Sequence, residues 1–239
     1  MSSHAELSVS VVIPVYNGAI YLGEAIDSII QQTYLPSEIV VVDDGSTDGS
    51  GDLIQQIAFN VPIQIRYVYQ TNQGVGVARN KGVNIASGSW VAFLDQDDIW
   101  LPTKLARQVE VIERQPEAEI VIVKQRFFMI NGFSQPHWVR PGLCQRELTG
   151  FTPSAIFAKR SLFSRIGLFE EAIKLASDTD WIARLFEANV PIFTVDEVLL
   201  LHRIHPQNQS RFVATSHREI LDIVRRSVHR KQELELNKL

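Results

Sequence analysis

The chain has 239 residues, a formal net charge of −4 at pH 7 and 45% hydrophobic residues. This length and apolar content suffice for one large domain or two small ones. The mildly acidic balance lacks the overall basic signature of nucleic-acid binding. Cys144 is the only cysteine, which fits a reducing compartment. The apolar runs are of strand length and the first residues lack a long apolar core, so we expect neither a membrane span nor a signal peptide.

Strand and helix patterns alternate through residues 1–100. Apolar runs predict strands over 9–16, 38–43, 62–69 and 89–94, and amphipathic stretches predict helices over 21–32, 52–59 and 74–86. Residues 46–48 are the expected caps of the second helix. This alternation indicates an α/β fold with a Rossmann-like, mostly parallel central sheet flanked by helices.

The alternation weakens beyond residue 102. We expect a helix up to 115, a strand over 120–123, an irregular stretch over 127–144, helices over 159–166 and 179–188, and an extended segment over 193–202. An amphipathic helix is expected from 215 onward, with an apolar stripe made of Ile220, Leu221, Ile223, Val224 and Val228. We therefore expect an N-terminal nucleotide-type half and a C-terminal half that completes the site.

Polar residues follow three of the predicted strands. Asn17 follows the first strand, Asp43 ends the second, and the run 95–98 follows the fourth. In open α/β sheets, ligands bind at the carboxyl ends of the strands, near a topological switch point. The sequence therefore predicts one acidic and polar rim built from three strand ends.

The run after the fourth strand places three carboxylates, Asp95, Asp97 and Asp98, within four positions. Like charges repel, and more so when partly desolvated, so basic partners, protons or a metal ion must compensate. Carboxylate oxygens suit Mg²⁺ or Mn²⁺ together with substrate phosphates, whereas zinc would want clustered Cys and His. The alternative is that these aspartates cap the following helix, a role that suits Asp98. A D-x-D pair that binds a cation and a diphosphate is the favoured interpretation.

Two common phosphate-binding motifs are missing. The sequence has no GxxxxGK[ST], and the turn after the first strand reads PVYNGAIYL rather than GxGxxG. Gly74 and Gly76 give GxG without the third glycine, a pattern better explained by close backbone approach at a helix start. Neither a P-loop ATPase nor a dinucleotide-binding first turn is expected.

Four blocks, VSVVIPVYNG, EIVVVDDGSTDGS, NQGVGVARNKG and FLDQDDIW, occur in this order. Their order and spacing resemble family 2 glycosyltransferases with the GT-A fold, and SAIFAKRSLFSRIGLFEE, SDTDWIARL and HRIHPQNQS extend the similarity to nearly all of the chain except the tail. The resemblance implies one GT-A domain over 1–239, with a nucleotide-sugar-binding half (1–100), an acceptor-side half (101–214) and a C-terminal amphipathic helix (215–239). It also implies an inverting enzyme that transfers a sugar from a nucleoside diphosphate sugar, most commonly a UDP-sugar, to an acceptor hydroxyl.

The resemblance further implies a nucleotide pocket, with Asp44 bonded to the base. The residues of this pocket would be Pro14, Tyr16, Asn17, Asp43, Asp44, Asn72, Gly74, Arg79 and Asp95. Asp95, Asp97 and His205 would lie at a Mn²⁺ or Mg²⁺ ion. The alternatives are a turn role for Asp44 and a surface-loop position for His205.

The block SDTDWIARL corresponds to the family's acidic catalytic block. The resemblance implies that Asp178 is the catalytic base and that Asp180 is a second acidic position held in reserve. Ser177 stands where the family usually has glutamate. The structural alternative is that Asp178 caps the helix predicted over 179–188.

The expected partners are the nucleotide-sugar donor and a glycan or lipid-linked acceptor in cell-envelope polysaccharide biosynthesis, with no nucleic acid. Trp138 and nearby phenylalanines form either an acceptor platform or a satellite core. The basic tail, with Arg225, Arg226, Arg230 and Lys231, is either a peripheral membrane contact or a solvated helix face. Self-association through the tail is a further option. The expected location is cytoplasmic, with the inner face of the membrane as the alternative.

Two other functions compete with glycosyl transfer. One is a non-catalytic sugar-nucleotide-binding protein that keeps the fold, and Ser177 is its only support in the sequence. The other is a phospho-receiver-like signalling domain, because VVDD and Asp95 mimic its acidic pocket. The signalling domain ranks last of the three functions, because the acidic pair follows the second strand and two further carboxylates crowd Asp95.

Overall fold

The computed structural model describes residues 7–130 and 135–236. Its strands are β1 (Val9–Val15), β2 (Glu38–Asp43), β3 (Gln64–Tyr69), β4 (Trp90–Phe93), β5 (Ile99–Trp100), β6 (Ile120–Met129), β7 (Glu147–Thr149), β8 (Ile156–Lys159) and β9 (Phe193–Ile204). Its helices are α1 (Ala19–Ile30), α2 (Ser50–Ala58), α3 (Val75–Ile85), α4 (Lys104–Arg114), α5 (Arg160–Ile166), α6 (Ser177–Glu187) and α7 (Val213–Leu236). The alternating strands and helices predicted for the N-terminal half are all present, with small shifts at their ends.

One mixed sheet runs through the domain in the order β3-β2-β1-β4-β8-β6-β9-β5, with β7 paired to β6. The first four strands of this order pair in parallel, as the alternating pattern predicted. The C-terminal half is more varied: β8 runs antiparallel to β4 and β6, while β9 runs parallel to β6 and antiparallel to β5. The chain adds β2 and β3 on one side of β1 and β4 on the other, so the topological switch point lies between β1 and β4.

Both faces of this sheet are covered by helices. Residues such as Val11 and Ile13 of β1 pack with α1, α2 and α4, whereas Val12 faces the core shared with α3, α5 and α6. This two-sided burial explains why the parallel strands read as continuous apolar runs. Gly82 lets α3 approach β1 closely, because a Cβ there would lie 2.2 Å from Cγ1 of Val12.

Strand β6 is longer than the sequence predicted. It continues from 120 to 129, because β9 pairs with it in parallel along almost its whole length, with register shifts near Lys124. The expected irregular stretch therefore begins later than residue 127, and residues 131–134 within it lie outside the described residues. The sequence predicted only residues 120–123 of β6, because the polar residues 124–126 interrupt the apolar run there.

Helix α7 begins at Val213, and the prediction of its buried face was partly wrong. Ile223 is buried, and Ile220 packs beside it in a small cluster with Ile173 and Ala176. The other three residues of the predicted stripe are exposed: Leu221, Val224 and Val228. Among the described residues, no helix is long and apolar enough to cross a membrane.

Candidate functional site

The carboxyl ends of β2, β1 and β4 lie side by side, because these neighbouring strands are parallel. Gln96, which follows β4, bridges to the end of β1: its Oε1 accepts the N–H of Tyr16 (2.8 Å) and its Nε2 donates to the Tyr16 carbonyl (3.1 Å). Asn17, with a positive φ of 50°, accepts the N–H of Thr47 from the loop after β2 (2.8 Å). The three strand ends therefore form one rim, as predicted.

Asp44 is buried and holds the loop before α3. Its Oδ1 accepts hydrogen bonds from Nε2 of Gln70 and the N–H of Gln73 (both 2.8 Å). Its Oδ2 accepts the N–H of Gly74 (2.7 Å). Asn72 in the same loop is exposed and packs against Gly45, whose φ of +86° and missing side chain allow this approach. Asp44 therefore fixes the segment that the sequence assigned to the nucleotide pocket.

Asp43 is equally buried but has different partners. Its Oδ1 accepts the N–H of Ser46, and its Oδ2 accepts the hydroxyl proton of Tyr67, both at 2.8 Å. Burial and the neighbouring charge of Asp43 raise the pKa of Tyr67. Pro14 lies within β1, paired with Val42, and so belongs to the sheet beneath the rim. Tyr16, two residues later, is half exposed.

Arg79 of α3 joins the acidic cluster to α6. Its NH2 lies 2.7 Å from Oδ1 of Asp95, and its guanidinium lies over the ring of Phe169, with 5.8 Å between Cζ and the ring centroid. The Nε of Arg79 is buried and has no hydrogen-bond partner among the described residues. A buried cation thus compensates part of the repulsion between the aspartates after β4.

Asp178 lies within the electrostatic reach of this pair. Burial raises its pKa, the positive charge of Arg79 opposes that rise, and the negative charge of Asp95 adds to it. A carboxylate with a raised pKa accepts a proton more readily than an ordinary aspartate does, which suits a general base. The side chain remains half-buried rather than sealed in the core, so a ligand can reach it.

Helix α6 begins at Ser177, so Asp178 is its second residue and not its N-cap. Asp178 is therefore not the N-cap residue, but its Oδ1 accepts the N–H of Thr179 (2.8 Å), so it does bond within the first turn of the helix. Ser177 is buried against Gly76, and its Oγ has no hydrogen-bond partner among the described residues. Asp180 is also buried, and its carboxylate faces Arg184, with 2.9 Å to Nε, and Arg230.

Asp97 lies next to His205, which follows it by 108 residues in the chain. Its Oδ2 is 2.8 Å from Nε2 of His205 and 3.2 Å from Nδ2 of Asn208. The Nδ1 of His205 faces the N–H of Gln207 (3.3 Å), which assigns the ring proton to Nε2. His205 is buried and stacks near Tyr21. The predicted association of Asp97 with His205 is present.

The donor set at Asp97 fits a hard divalent cation only if a ligand supplies further oxygens. Within residues 7–130 and 135–236, no three acidic, histidine or cysteine side chains converge as a complete metal-binding group. Oδ1 of Asp97 accepts no hydrogen bond from this part of the chain, so it is available to a cation. Mg²⁺ and Mn²⁺ are often held by one or two carboxylates plus substrate phosphates, and this incomplete set matches that habit.

Asp98 has a structural role that differs from the predicted cap. It is buried, and its carboxylate contacts Nδ1 of His202 (3.1 Å) and the N–H of Arg203 (3.3 Å). The N-cap of α4 is Thr103, so the cap alternative for Asp98 is wrong. Burial disfavours the charged imidazole of His202, but the charge and hydrogen bond of Asp98 outweigh that effect and raise its pKa to about 9.

The buried side chain of Ser154 holds the backbone of Asp95. The backbone N–H of Asp95 donates to Oγ of Ser154 (3.0 Å), and the Ser154 carbonyl accepts Nε1 of Trp100 (2.8 Å). Lys104 lies against the Trp100 ring, 4.0 Å from its centroid, and donates to Gln108 (2.9 Å). Burial lowers the pKa of Lys104 well below its usual value.

Several contacts at the site were not predicted. Three polar residues each form a hydrogen bond with a residue more than 50 positions away in the chain: Gln96, Ser154 and Asn208. Arg203 forms an ion pair with Glu24 and lies between the rings of Tyr21 and Phe128. The blocks FLDQDDIW, SAIFAKRSLFSRIGLFEE and HRIHPQNQS contain Gln96, Ser154, Arg203 and Asn208, but they do not indicate the pairings.

Comparison with known proteins identifies the family. The family model described as glycosyl transferase family 2 matches residues 10–168, more than half of the chain. The chain therefore belongs to glycosyl transferase family 2. An uncharacterized glycosyltransferase from Nostoc sp. is 46% identical over 126 residues, which cover 53% of this chain and 38% of the relative. The chain spans 32% to 64% of the length of six such curated relatives.

Solved structures share the GT-A fold. The mannosyltransferase PcManGT from Pyrobaculum calidifontis, in complex with GDP-Man and Mn²⁺, has a TM-score of 0.74 and 21% identity, covering 95% of this chain and 65% of that protein. S. aureus TarS 1-349 in complex with UDP-GlcNAc has a TM-score of 0.68 and 21% identity, covering 86% of this chain and 61% of that protein. The predicted fold class is thereby confirmed.

Proposed function

We propose that this domain transfers a sugar from a nucleoside diphosphate sugar to an acceptor hydroxyl, with inversion at the anomeric carbon and Asp178 as the general base. The observation that carries this proposal is the Arg79–Asp95 ion pair at the carboxyl edge of the parallel strands, with the half-buried Asp178 within its electrostatic reach. Family membership supports the reaction class. The placement of Asp178, Arg79 and Asp95 supports the proposed location of the active site.

The nucleotide would bind along the rim between β1 and the loop before α3. Tyr16 and Asn17 are exposed there, and Asp44 holds Gly74 and the neighbouring backbone in place. TarS binds UDP-GlcNAc and PcManGT binds GDP-Man. A UDP-sugar is the donor we propose first, and a GDP-sugar is the next donor to test.

Mn²⁺ or Mg²⁺ would be held near Asp97, with His205 and Asp95 beside it. When bound, such a cation supplies charge that offsets the developing charge of the leaving diphosphate. Oδ1 of Asp97 accepts no hydrogen bond from the described residues, and His205 fixes the orientation of the carboxylate through Oδ2. Arg79 neutralises Asp95, so fewer negative charges oppose the approach of the donor phosphates.

Asp178 would remove the proton from the acceptor hydroxyl as that oxygen attacks. Inverting transfer needs one base on the face opposite the leaving group, and the raised pKa of Asp178 strengthens it as a base. Asp180 is less suited to this step, because its carboxylate is buried between Arg184 and Arg230. We therefore assign the proposed base role to Asp178 alone.

The acceptor would be a glycan or a lipid-linked sugar. A groove of about 460 Å³ is lined by His137, Trp138 and the stretch 211–215, and a half-buried Trp138 supplies the flat apolar surface on which sugars stack. The exposed apolar residues of α7 support contact with a membrane surface or a second copy of the chain. Those residues are Leu221, Val224 and Val228.

The test joins ligand binding to turnover. Thermal unfolding would be followed with UDP, GDP and dTDP, each with Mn²⁺ and with EDTA, because a ligand that binds only the folded state raises the midpoint. Nucleotide release from UDP-GlcNAc and GDP-Man would be measured alongside. Asp97→Asn should lose the Mn²⁺-dependent shift, and Asp178→Asn should keep the shift but lose turnover. Wild-type turnover by Asp178→Asn would refute the base assignment, and binding without turnover of any donor and acceptor would favour the non-catalytic alternative.

A further inference from the structure

The segment that leads into Asp178 is held by a side chain from α7. This segment, residues 170–176, forms the approach loop of α6. The carboxylate of Glu219 accepts three consecutive backbone N–H groups from it: Lys174 at 3.1 Å on Oε1, and Leu175 and Ala176 at 2.9 Å on Oε2. One carboxylate thus fixes the last three residues before α6.

These bonds hold the backbone up to the N-cap residue of α6. The N-cap of α6 is Ala176, whose side chain has no hydrogen-bonding group. Backbone N–H groups at a helix start lack helical partners, and the positive end of the helix dipole favours a nearby anion. Glu219 supplies both the acceptors and the negative charge, from a residue more than 40 positions later in the chain.

Other contacts fasten the rest of the approach loop and its entry. Asn80 of α3 exchanges two hydrogen bonds with the backbone of Phe169, both at 2.9 Å. Nζ of Lys174 donates to the Gln73 carbonyl (3.2 Å) and to the Glu171 carbonyl (3.0 Å). The loop is therefore linked to the nucleotide side of the site at its beginning and middle, and only its end depends on Glu219.

Apolar packing seats Glu219 against this end. Ile223, one turn along the same face of α7, is 2% exposed and packs with Ile173 and Ala176. Ile220 lies partly buried beside them. This packing holds the turn of α7 that follows Glu219, so the carboxylate has a defined position relative to the start of α6.

We propose that Glu219 is a positioning residue for the transfer reaction: by holding the end of the approach loop, it keeps Asp178 directed toward Arg79 and Asp95. This inference rests on the proposed role of Asp178 as the base. Helix α7 and the approach loop both lie outside residues 10–168, to which the family model applies.

Glu219→Gln is the informative change. A glutamine has one carbonyl oxygen, so its amide group would face at least one backbone N–H that the carboxylate now accepts. Small displacements of a catalytic group lower the rate steeply. We expect kcat to fall roughly 10- to 100-fold, while KM for the nucleotide sugar stays within about twofold, because Asp44 holds Gln73 and Gly74 through its own hydrogen bonds.

The matched control is Asp222→Asn. Asp222 lies on the same helix and its carboxylate contacts only Arg225 of that helix among the described residues, so the control makes the same type of change without touching the approach loop. Nucleotide release from UDP-GlcNAc and GDP-Man with Mn²⁺ would be measured for both variants, well below their unfolding midpoints. Hydrogen exchange of the backbone over residues 172–182 would be measured in parallel, since it reports the contact without requiring turnover.

Support would be a low kcat with unchanged KM and faster exchange over 172–182 in Glu219→Gln, with neither change in Asp222→Asn. Unaltered exchange in Glu219→Gln would overturn the inference whether or not either donor is turned over. Wild-type kcat in Glu219→Gln, with Asp178→Asn inactive, would overturn the positioning role alone. Full activity of Asp178→Asn would instead refute the base assignment, and the positioning role would fall with it.

Discussion

Asp44→Asn and Asp43→Asn make the same chemical change at adjacent residues that are 2% and 1% exposed. Their partners differ. Asp44 accepts the side-chain amide of Gln70 and two backbone N–H groups. The amide of Gln70 can turn to present its oxygen, but the N–H of Gln73 on Oδ1 and that of Gly74 on Oδ2 can only donate, so the new amide of Asp44→Asn faces one of them. Asp43 accepts one N–H, from Ser46, and the hydroxyl of Tyr67. A hydroxyl can accept as well as donate, so the Asp43→Asn variant can keep both contacts by placing its new amide group toward Tyr67.

The difference in stability between the two variants follows from this count. Both lose the charge on their hydrogen bonds, and both gain from burying a neutral side chain, so these effects largely cancel in the comparison. Asp44→Asn additionally loses one charge-assisted bond and sets an amide N–H against a buried backbone N–H, which costs about 2 kcal/mol or more. We therefore expect Asp44→Asn to be less stable than Asp43→Asn by about 2 kcal/mol.

Urea unfolding at pH 7, followed by tryptophan fluorescence and circular dichroism, measures this difference. The m-values should agree between the variants, so that the midpoints report stability. Equal free energies of unfolding for the two variants would refute the reasoning, because burial and substitution are matched and only the partners differ. Asp44→Asn should also bind the nucleotide more weakly, since it releases the backbone at Gly74.

Three further changes test other parts of the structure. Gly82→Ala should lower the free energy of unfolding by about 1–3 kcal/mol, because its Cβ would lie 2.2 Å from Val12. Gly23→Ala, also within a helix but with nothing within 4 Å of the new Cβ, should raise it by about 0.5–1 kcal/mol; the same sign for both would contradict the packing of α3 on β1. The pKa of His202 is raised from 6.5 to about 9, so its protonation stabilises the folded state fully below pH 6.5, and this stabilisation is lost as the pH rises to about 9. In EDTA, the free energy of unfolding of the wild type relative to His202→Gln should therefore decline by up to about 3 kcal/mol over this pH range. Ser177→Ala removes a buried hydroxyl without a partner among the described residues, so thermal unfolding should show a gain of about 1 kcal/mol with unchanged turnover, and lost turnover would mean that the hydroxyl serves the reaction.

The parallel half of the fold could be predicted because its signals are local. Strands β1, β2 and β4 are mostly apolar runs. The edge strand β3 reads QIRYVY and is partly exposed, but it is rich in β-branched and aromatic residues. A helix separates each of these strands from the next. The extension of β6 to Met129 had no such signal, because it depends on pairing with β9, which lies about 70 residues later in the chain. The buried face of α7 was misassigned for a related reason: a helix with apolar residues on two adjacent faces does not reveal which one meets the domain.

The candidate site shows the same division. Motifs predicted that Asp95, Asp97 and Asp178 belong to one site, which stays a prediction, and the strand order brings the rim together. The partners that orient them were not visible, since a hydrogen bond such as that from Ala176 to Glu219 leaves no periodic pattern in the sequence. Asp98 illustrates the limit: its position suggested a cap, but a strand end 104 residues later provides its partner.

The dependence of the approach loop on α7 also affects the order in which the protein becomes competent during synthesis. Chains emerge from the ribosome with the N-terminal part first, and domains begin to fold in that order. The rim built from β1, β2 and β4 contains the proposed nucleotide contacts and is complete long before Glu219 is synthesised. A nascent chain would therefore hold the proposed nucleotide contacts before it gains a fixed base, and competence for transfer would follow the synthesis of Glu219.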